Sequence, residues 1–167
     1  MNRVTPTNNE KYFPDDTLLV SKTDTKGKIT YCNEAFIHIV GLNEDELLNQ
    51  PHNIIRHPDM PQIVFKLLWD YVSKGNEIHA YVKNICKDGS FYWVMANVTP
   101  SLDLNAEIIG YHSARRNPSK KALEIIKPLY KELLELEKSG GMKASEQRLF
   151  DILNEKGMDY DEFILSI

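Results

Sequence analysis

The stretch Ala80-Tyr81-Val82-Lys83-Asn84-Ile85-Cys86-Lys87-Asp88-Gly89-Ser90-Phe91-Tyr92-Trp93-Val94-Met95-Ala96-Asn97-Val98-Thr99 decides the fold class. Two runs rich in β-branched and aromatic residues flank an Asp-Gly pair, which is the pattern of a β-hairpin. After Pro100 and a polar loop, Ile108 to Arg115 supplies another strand. Upstream, the apolar run Leu18-Leu19-Val20, the turn Asp24-Thr25-Lys26-Gly27 and the strand Ile29-Thr30-Tyr31-Cys32 make a second hairpin.

Helical pieces lie between the two hairpins. Asn33 is placed to cap a helix from Glu34 to Val40 that Gly41 closes, and Asn43 to cap another from Glu44 to Leu48. Pro51, Pro58 and Pro61 confine the next stretch to a loop with single helical turns at most. Val64, Leu67, Leu68, Tyr71 and Val72 then form the apolar face of a longer helix ended by Gly75. The order β-β, helices, β-β-β predicts an α+β fold: one five-stranded antiparallel sheet with helices on one face. Residues 1–16, with Pro6 and Pro14, read as a loosely ordered arm that Tyr12-Phe13 is able to pin. Residues 17–118 form the domain, and residues 119–167 a helical extension. In that extension Pro128 predicts a kink or a fresh start, Ser139-Gly140-Gly141 a turn, Ala144 to Lys156 a second helix and Asp159 the cap of a last one.

Composition narrows the function. A chain with 42% hydrophobic and 26% charged residues is globular rather than disordered. Its 20 basic and 24 acidic side chains leave a formal charge of −4, which gives no general pull toward nucleic acid. No apolar run is long enough for a bilayer, and Met1-Asn2-Arg3-Val4-Thr5-Pro6 has no signal-peptide core, so a reduced cytoplasmic setting is expected. Cys32 and Cys86 read as buried thiols. HExxH, CxxC, GxSxG and P-loop patterns are all absent, so neither a metal site nor a catalytic site is expected.

The least generic segment is Gln50-Pro51-His52-Asn53-Ile54-Ile55-Arg56-His57-Pro58-Asp59-Met60-Pro61. Three prolines make a stiff wall, and Arg and His offer directed donors for a polar or anionic ligand. A rigid loop with solvated charges fits the same residues. Tyr92 and Trp93, adjacent on a strand, must point to opposite faces. Asn84, mid-strand, both donates and accepts, which suits the edge of a heteroaromatic ring.

These pieces together resemble a PAS domain, and more narrowly the flavin-binding PAS domains of Aer-type energy-taxis sensors. The matching residues are Thr23-Asp24 through Gly27-Lys28-Ile29-Thr30-Tyr31, Asn33-Glu34-Ala35-Phe36, Pro51-His52-Asn53 with Arg56-His57-Pro58-Asp59-Met60-Pro61, the helix with Trp69, Val82-Lys83-Asn84 with Lys87-Asp88-Gly89, Tyr92-Trp93-Val94, and Gly110-Tyr111. They cover about residues 17–117. The Arg-His-Pro-Asp-Met-Pro segment is specific to that branch. A chain of this length with no receptor module is similar to the CetB-type partners of two-protein energy-taxis systems.

The resemblance implies non-covalent FAD held between sheet and helices. Arg56, His57 and Asp59 would line or shape the site, Trp69 would belong to its wall, Asn33 would help shape it, and Asn84 would bond the isoalloxazine edge. Ile78 stands where an Aer-type domain can carry a tryptophan. No cysteine occurs in Asn53-Ile54-Ile55-Arg56, so covalent thiol photochemistry is not expected. The implied function is a redox and energy-taxis sensor that signals to a membrane-bound, methyl-accepting-type transducer, with a homodimer as a further option and no enzyme activity. Two alternatives remain: a haem-binding gas sensor using His52, His57 or His112, and a cofactor-free docking module.

Overall fold

The computed structural model describes residues 4–167. Residues 1–3, the start of the arm and of the stretch expected to lack a signal-peptide core, lie outside the described residues. The elements in order are β1 (Leu19–Thr23), β2 (Ile29–Cys32), α1 (Glu34–Val40), α2 (Glu44–Leu47), a 3-10 turn (His52–Ile55), α3 (Gln62–Val72), β3 (Ile78–Ile85), β4 (Phe91–Leu102), β5 (Ile108–Arg116), α4 (Lys120–Gly140), α5 (Met142–Lys156) and α6 (Tyr160–Leu165). The strands form one antiparallel sheet in the order β2-β1-β5-β4-β3. Helices α1 to α3 cover its inner face, as the sequence pattern predicts.

The period of two along each strand sorts the side chains. On β3, Ala80, Val82 and Asn84 stand opposite Ala96, Val94 and Tyr92 of β4 and share the inner face. His79, Tyr81 and Lys83 alternate with them and face the other way. Phe36, Ile39 and Val40 of α1 and Ile63, Val64 and Leu67 of α3 pack into the core under that inner face.

Asn33 is a structural hub. Its Oδ1 accepts from Phe36 N at 3.1 Å, capping α1, and from Val20 N at 2.9 Å, while its Nδ2 donates to the Leu18 carbonyl at 2.8 Å. One amide thus fixes the helix start against β1.

Three expectations shift. First, β4 does not stop at Pro100 but runs on to Leu102. Its partner β3 has already ended at the Ile78–Val98 pair, so Pro100 sits where β4 is an edge strand and its missing N–H leaves no ladder bond unmade. Second, α4 runs unbroken through Pro128 to Gly140, and α5 starts at Met142 rather than Ala144. The buried stripe Ala122, Ile126, Tyr130 and Leu133 holds α4 together across the proline.

Third, the arm is not loose. Thr7 N donates to the Gly89 carbonyl at 2.8 Å, Phe91 N to the Asn9 carbonyl at 2.9 Å, and Lys11 N to the Phe91 carbonyl at 2.7 Å. Gly89, at φ 83°, also takes the Thr5 carbonyl against the space a Cβ would fill. Phe13 packs on the core while Tyr12 points to solvent.

The C-terminal helices pack on their own domain. Trp93 and Tyr130 rings lie 6.2 Å apart on the outer face. The Tyr130 hydroxyl donates to the Tyr81 carbonyl at 2.8 Å, and the Asp161 carboxylate accepts from His79 N at 2.6 Å. These bonds cover β3, an edge that would otherwise invite a foreign strand. Farther along α4, Glu137 accepts from Gln62 N at 2.8 Å and from Ile63 N at 3.0 Å. It caps α3, whose own N-cap position is Pro61 with no side-chain bond to offer.

Candidate functional site

Between the inner face of the sheet, α3 and the 3-10 segment lies a cavity of about 190 Å³. Val82, Ala96, Val98 and Leu68 give it apolar walls, and Trp69 stands at its mouth, half exposed. The Trp69 ring meets Tyr111 edge-on at 5.3 Å.

The polar wall is unusual because several of its buried atoms have no hydrogen-bond partner. They are Asn84 Nδ2, Arg56 Nε, Ser113 Oγ and one terminal nitrogen of Arg115. Buried polar groups are almost always paired, and an unpaired one costs about 1–3 kcal/mol. Four of the seven such atoms among the described residues lie on this wall, the others being His57 Nε2, Tyr92 Oη and Tyr160 Oη, and these four leave hydrogen-bonding capacity facing the cavity.

Each is held in place by its strand or loop. Asn84 sits on β3 directly across from Tyr92. Arg56 forms an isolated antiparallel bridge with Asn84, which draws the proline-rich loop onto the strand edge, and its guanidinium lies 3.5 Å above the Phe65 ring. Arg115 is buried and pairs with no carboxylate among the described residues. One of its terminal nitrogens donates to Ser21 Oγ at 2.8 Å and to His52 Nε2 at 2.8 Å. Burial, first, and the Arg115 charge, second, push His52 down to about 3. Burial likewise lowers Arg115 to about 10.

Of the residues singled out by sequence, Arg56, Trp69 and Asn84 line this cavity. The other three are not among its lining. Asn33 is occupied in capping α1. His57 is buried, with Nδ1 accepting from Asp59 N at 3.1 Å. Asp59 points outward and pairs with Lys83 at 2.7 Å. This pair of contacts stiffens the loop that carries Arg56. Burial and the nearby Lys83 charge hold His57 down to about 4.

The sequence reading missed Arg115, Ser113 and Ser21. A signal was available in the last strand. Tyr111, Ser113 and Arg115 alternate with His112 and Ala114, so polar side chains fall on the face that Val98 and Ala96 of β4 share. Polar residues at inward positions mark a site rather than a core.

Ser21 and His52 also meet at 2.9 Å, a distance that suits a nucleophile and its base. The Arg115 guanidinium touches both, and an imidazole at about 3 is too weakly basic for general-base work near neutrality. The pair holds Arg115 instead.

The fold and cavity define an α+β domain with a pocket between its sheet and the helices on the inner face. The family model for the PAS fold matches residues 29–115, and the chain belongs to that family. It is related to the aerotaxis receptor of Escherichia coli (strain K12), at 41% identity over 119 residues, covering 71% of this chain and 23% of the receptor. It is 28% identical over 100 residues to the nitrogen fixation regulatory protein of Klebsiella pneumoniae, covering 60% of this chain and 20% of that protein. The chain therefore matches about a fifth to a quarter of the length of these relatives. The dark structure of the Aureochrome1 LOV blue-light photoreceptor superposes with a TM-score of 0.58 at 20% identity, over 66% of this chain and 82% of that one. The likeness to that photoreceptor concerns the fold. Among the described residues, no helix is long and apolar enough to cross a membrane.

Proposed function

We propose that this PAS domain is a redox and energy-taxis sensor that holds FAD non-covalently in the cavity. It acts in the cytoplasm and signals to a membrane-bound, methyl-accepting-type transducer, as the relation to an aerotaxis receptor suggests. The observation that carries the reading is the set of unpaired donors on the cavity wall. A flavin ring edge offers carbonyl oxygens and ring nitrogens, which are the acceptors those donors lack. Size supports the same group. The cavity exceeds the roughly 150 Å³ that takes a single benzene ring, yet falls below the 300–1,000 Å³ typical of a whole ligand. Part of a planar ring system enters a space of this size, and the remainder of a dinucleotide has to lie outside.

A bound flavin supplies a ring that exchanges electrons and takes up a proton. The chain's residues respond to that change. Asn84 carries a donor and an acceptor on one amide, so a half-turn exchanges them at the same place. Arg115, a buried cation without a carboxylate, favours negative charge on whatever lies beside it. The apolar walls and the Trp69–Tyr111 mouth limit water and strengthen both effects.

A route outward is also built in. Asn84 is bridged to Arg56, the loop from Arg56 leads to Pro61, and α3 begins at Gln62 under the Glu137 carboxylate of α4. Movement of the Asn84–Arg56 bridge therefore bears on the clamp that holds the C-terminal helices. Two discrete settings of that clamp, biased by the cavity's contents, constitute a switch.

Haem is the weaker alternative: of its three candidate ligands, His52 Nε2 already accepts an N–H from Arg115 and His57 does not line the cavity, which leaves His112 alone. An absorbance spectrum before and after dithionite tests the reading. A flavin spectrum that bleaches, with FAD in the heat-released fraction, is expected. A Soret band would mean haem, and a protein colourless even after added FAD would mean a docking module.

A further inference from the structure

The charges around the cavity are of one sign. Its walls carry Lys26, Arg56 and Arg115 and no Asp or Glu, in a chain whose formal charge is −4. Arg56 and Arg115 stand among the unpaired donors described above. Lys26 differs: it is exposed at the mouth, and its ammonium makes no ion pair among the described residues.

The turn that carries Lys26 is stiff. Asp24 Oδ1 accepts from Lys26 N and from Lys28 N, both at 2.9 Å, and Gly27 N donates to the Asp24 carbonyl at 3.1 Å. The acid of the turn is thus engaged by backbone N–H groups, and the lysine is presented on a fixed base. His112 alternates with the inward-facing Tyr111 and Ser113 and stands in register with Lys22, and burial with the charges of Lys22 and Arg115 lowers its pKa, so Lys26 is the exposed cation among the lining residues.

We propose that Lys26 forms a phosphate subsite at the mouth, whose ammonium binds the phosphate oxygens of a flavin nucleotide and makes the site prefer phosphorylated flavins to riboflavin. The inference rests on the flavin reading above. It follows from a cavity too small for a whole flavin nucleotide and from an exposed lysine, without an ion pair among the described residues, that stands among its lining. A lysine is a point charge without geometric demands, so it serves a single phosphate and a pyrophosphate alike.

The test is a titration of flavin-stripped protein with riboflavin, FMN and FAD, followed by quenching of flavin fluorescence. Lys26→Gln is expected to weaken FMN and FAD about three- to fivefold, the size of one screened ion pair, and to leave riboflavin unchanged. Lys26→Arg should restore the preference, and 0.5 M salt should narrow it in the wild type. The substitution keeps every backbone bond of the turn, so riboflavin binding also reports that the variant is folded. Equal loss for all three flavins, or no loss for any, overturns the subsite and leaves the flavin reading standing. Failure of all three to bind the wild-type protein overturns both.

Discussion

The two sides of β3 are built to opposite rules. On one side, His79 bonds Asp161 and Asn97, Tyr81 receives Tyr130, and Lys83 pairs with Asp59. Every one of these groups finds a partner within the chain. On the other side, Asn84 turns its amide into a cavity and leaves Nδ2 unpaired, and Ser113, Arg115 and Arg56 do the same from β5 and the loop. Residues one position apart on the same strand therefore live in a finished and an unfinished environment. The finished side is where the protein packs against itself. The unfinished side is where it waits for a guest. The single strand between them makes the guest's contacts and the helices' contacts parts of one object.

Substitutions on the two sides should behave differently, and the largest effect belongs to the unfinished one. Asn84→Leu should cut flavin affinity ten- to a hundredfold by titration, yet leave the unfolding midpoint of the flavin-free protein unchanged or higher, because an unsatisfied buried amide is removed. A loss of stability instead would mean that Asn84 belongs to the core.

Acid comes next. His52 falls from about 6.5 in the unfolded chain to about 3 in the folded one, so below pH 6.5 the unfolded chain binds the extra proton. Its contribution is intact above pH 6.5 and is lost as the pH drops toward 3. At about 1.4 kcal/mol per pH unit, urea unfolding at pH 5 should show a loss of about 2 kcal/mol relative to pH 7 from this group. His52→Gln should flatten that slope.

On the finished side the effects are smaller. Glu137→Ala strips the cap from α3 and should cost about 1 kcal/mol by denaturant unfolding, with faster amide exchange at Gln62 and Ile63. Tyr130→Phe removes one hydroxyl bond to the Tyr81 carbonyl and should cost about 0.5–1 kcal/mol, without touching flavin affinity.

The sequence revealed the sheet more fully than the site, for physical reasons. Hairpins are local, so Asp88-Gly89 and Asp24–Gly27 announced the strand pairs they close. The caps Asn33 and Asp159 were legible because a cap lies within a few residues of the helix it starts. Arg56, Trp69 and Asn84 stood out by type and by resemblance, and they do meet in the cavity wall. Arg115 meets Ser21 and His52 only because β5 lies beside β1 at the centre of the sheet, a pairing that spans 94 residues. The Glu137 clamp spans 75 residues and was equally hidden. His57 and Asp59 carry the polar chemistry of a ligand site in sequence. In space they face each other and Lys83, where they brace the loop.

The most direct measurement is the side-chain amide resonance of Asn84 in ¹⁵N-labelled, flavin-stripped protein as FAD is added. The Asn84 signals are expected to move and their exchange with water to slow, with saturation at one flavin per chain. Flavin uptake with the Asn84 amide unmoved would contradict this, since the donor left unpaired on the cavity wall would then have gained no partner.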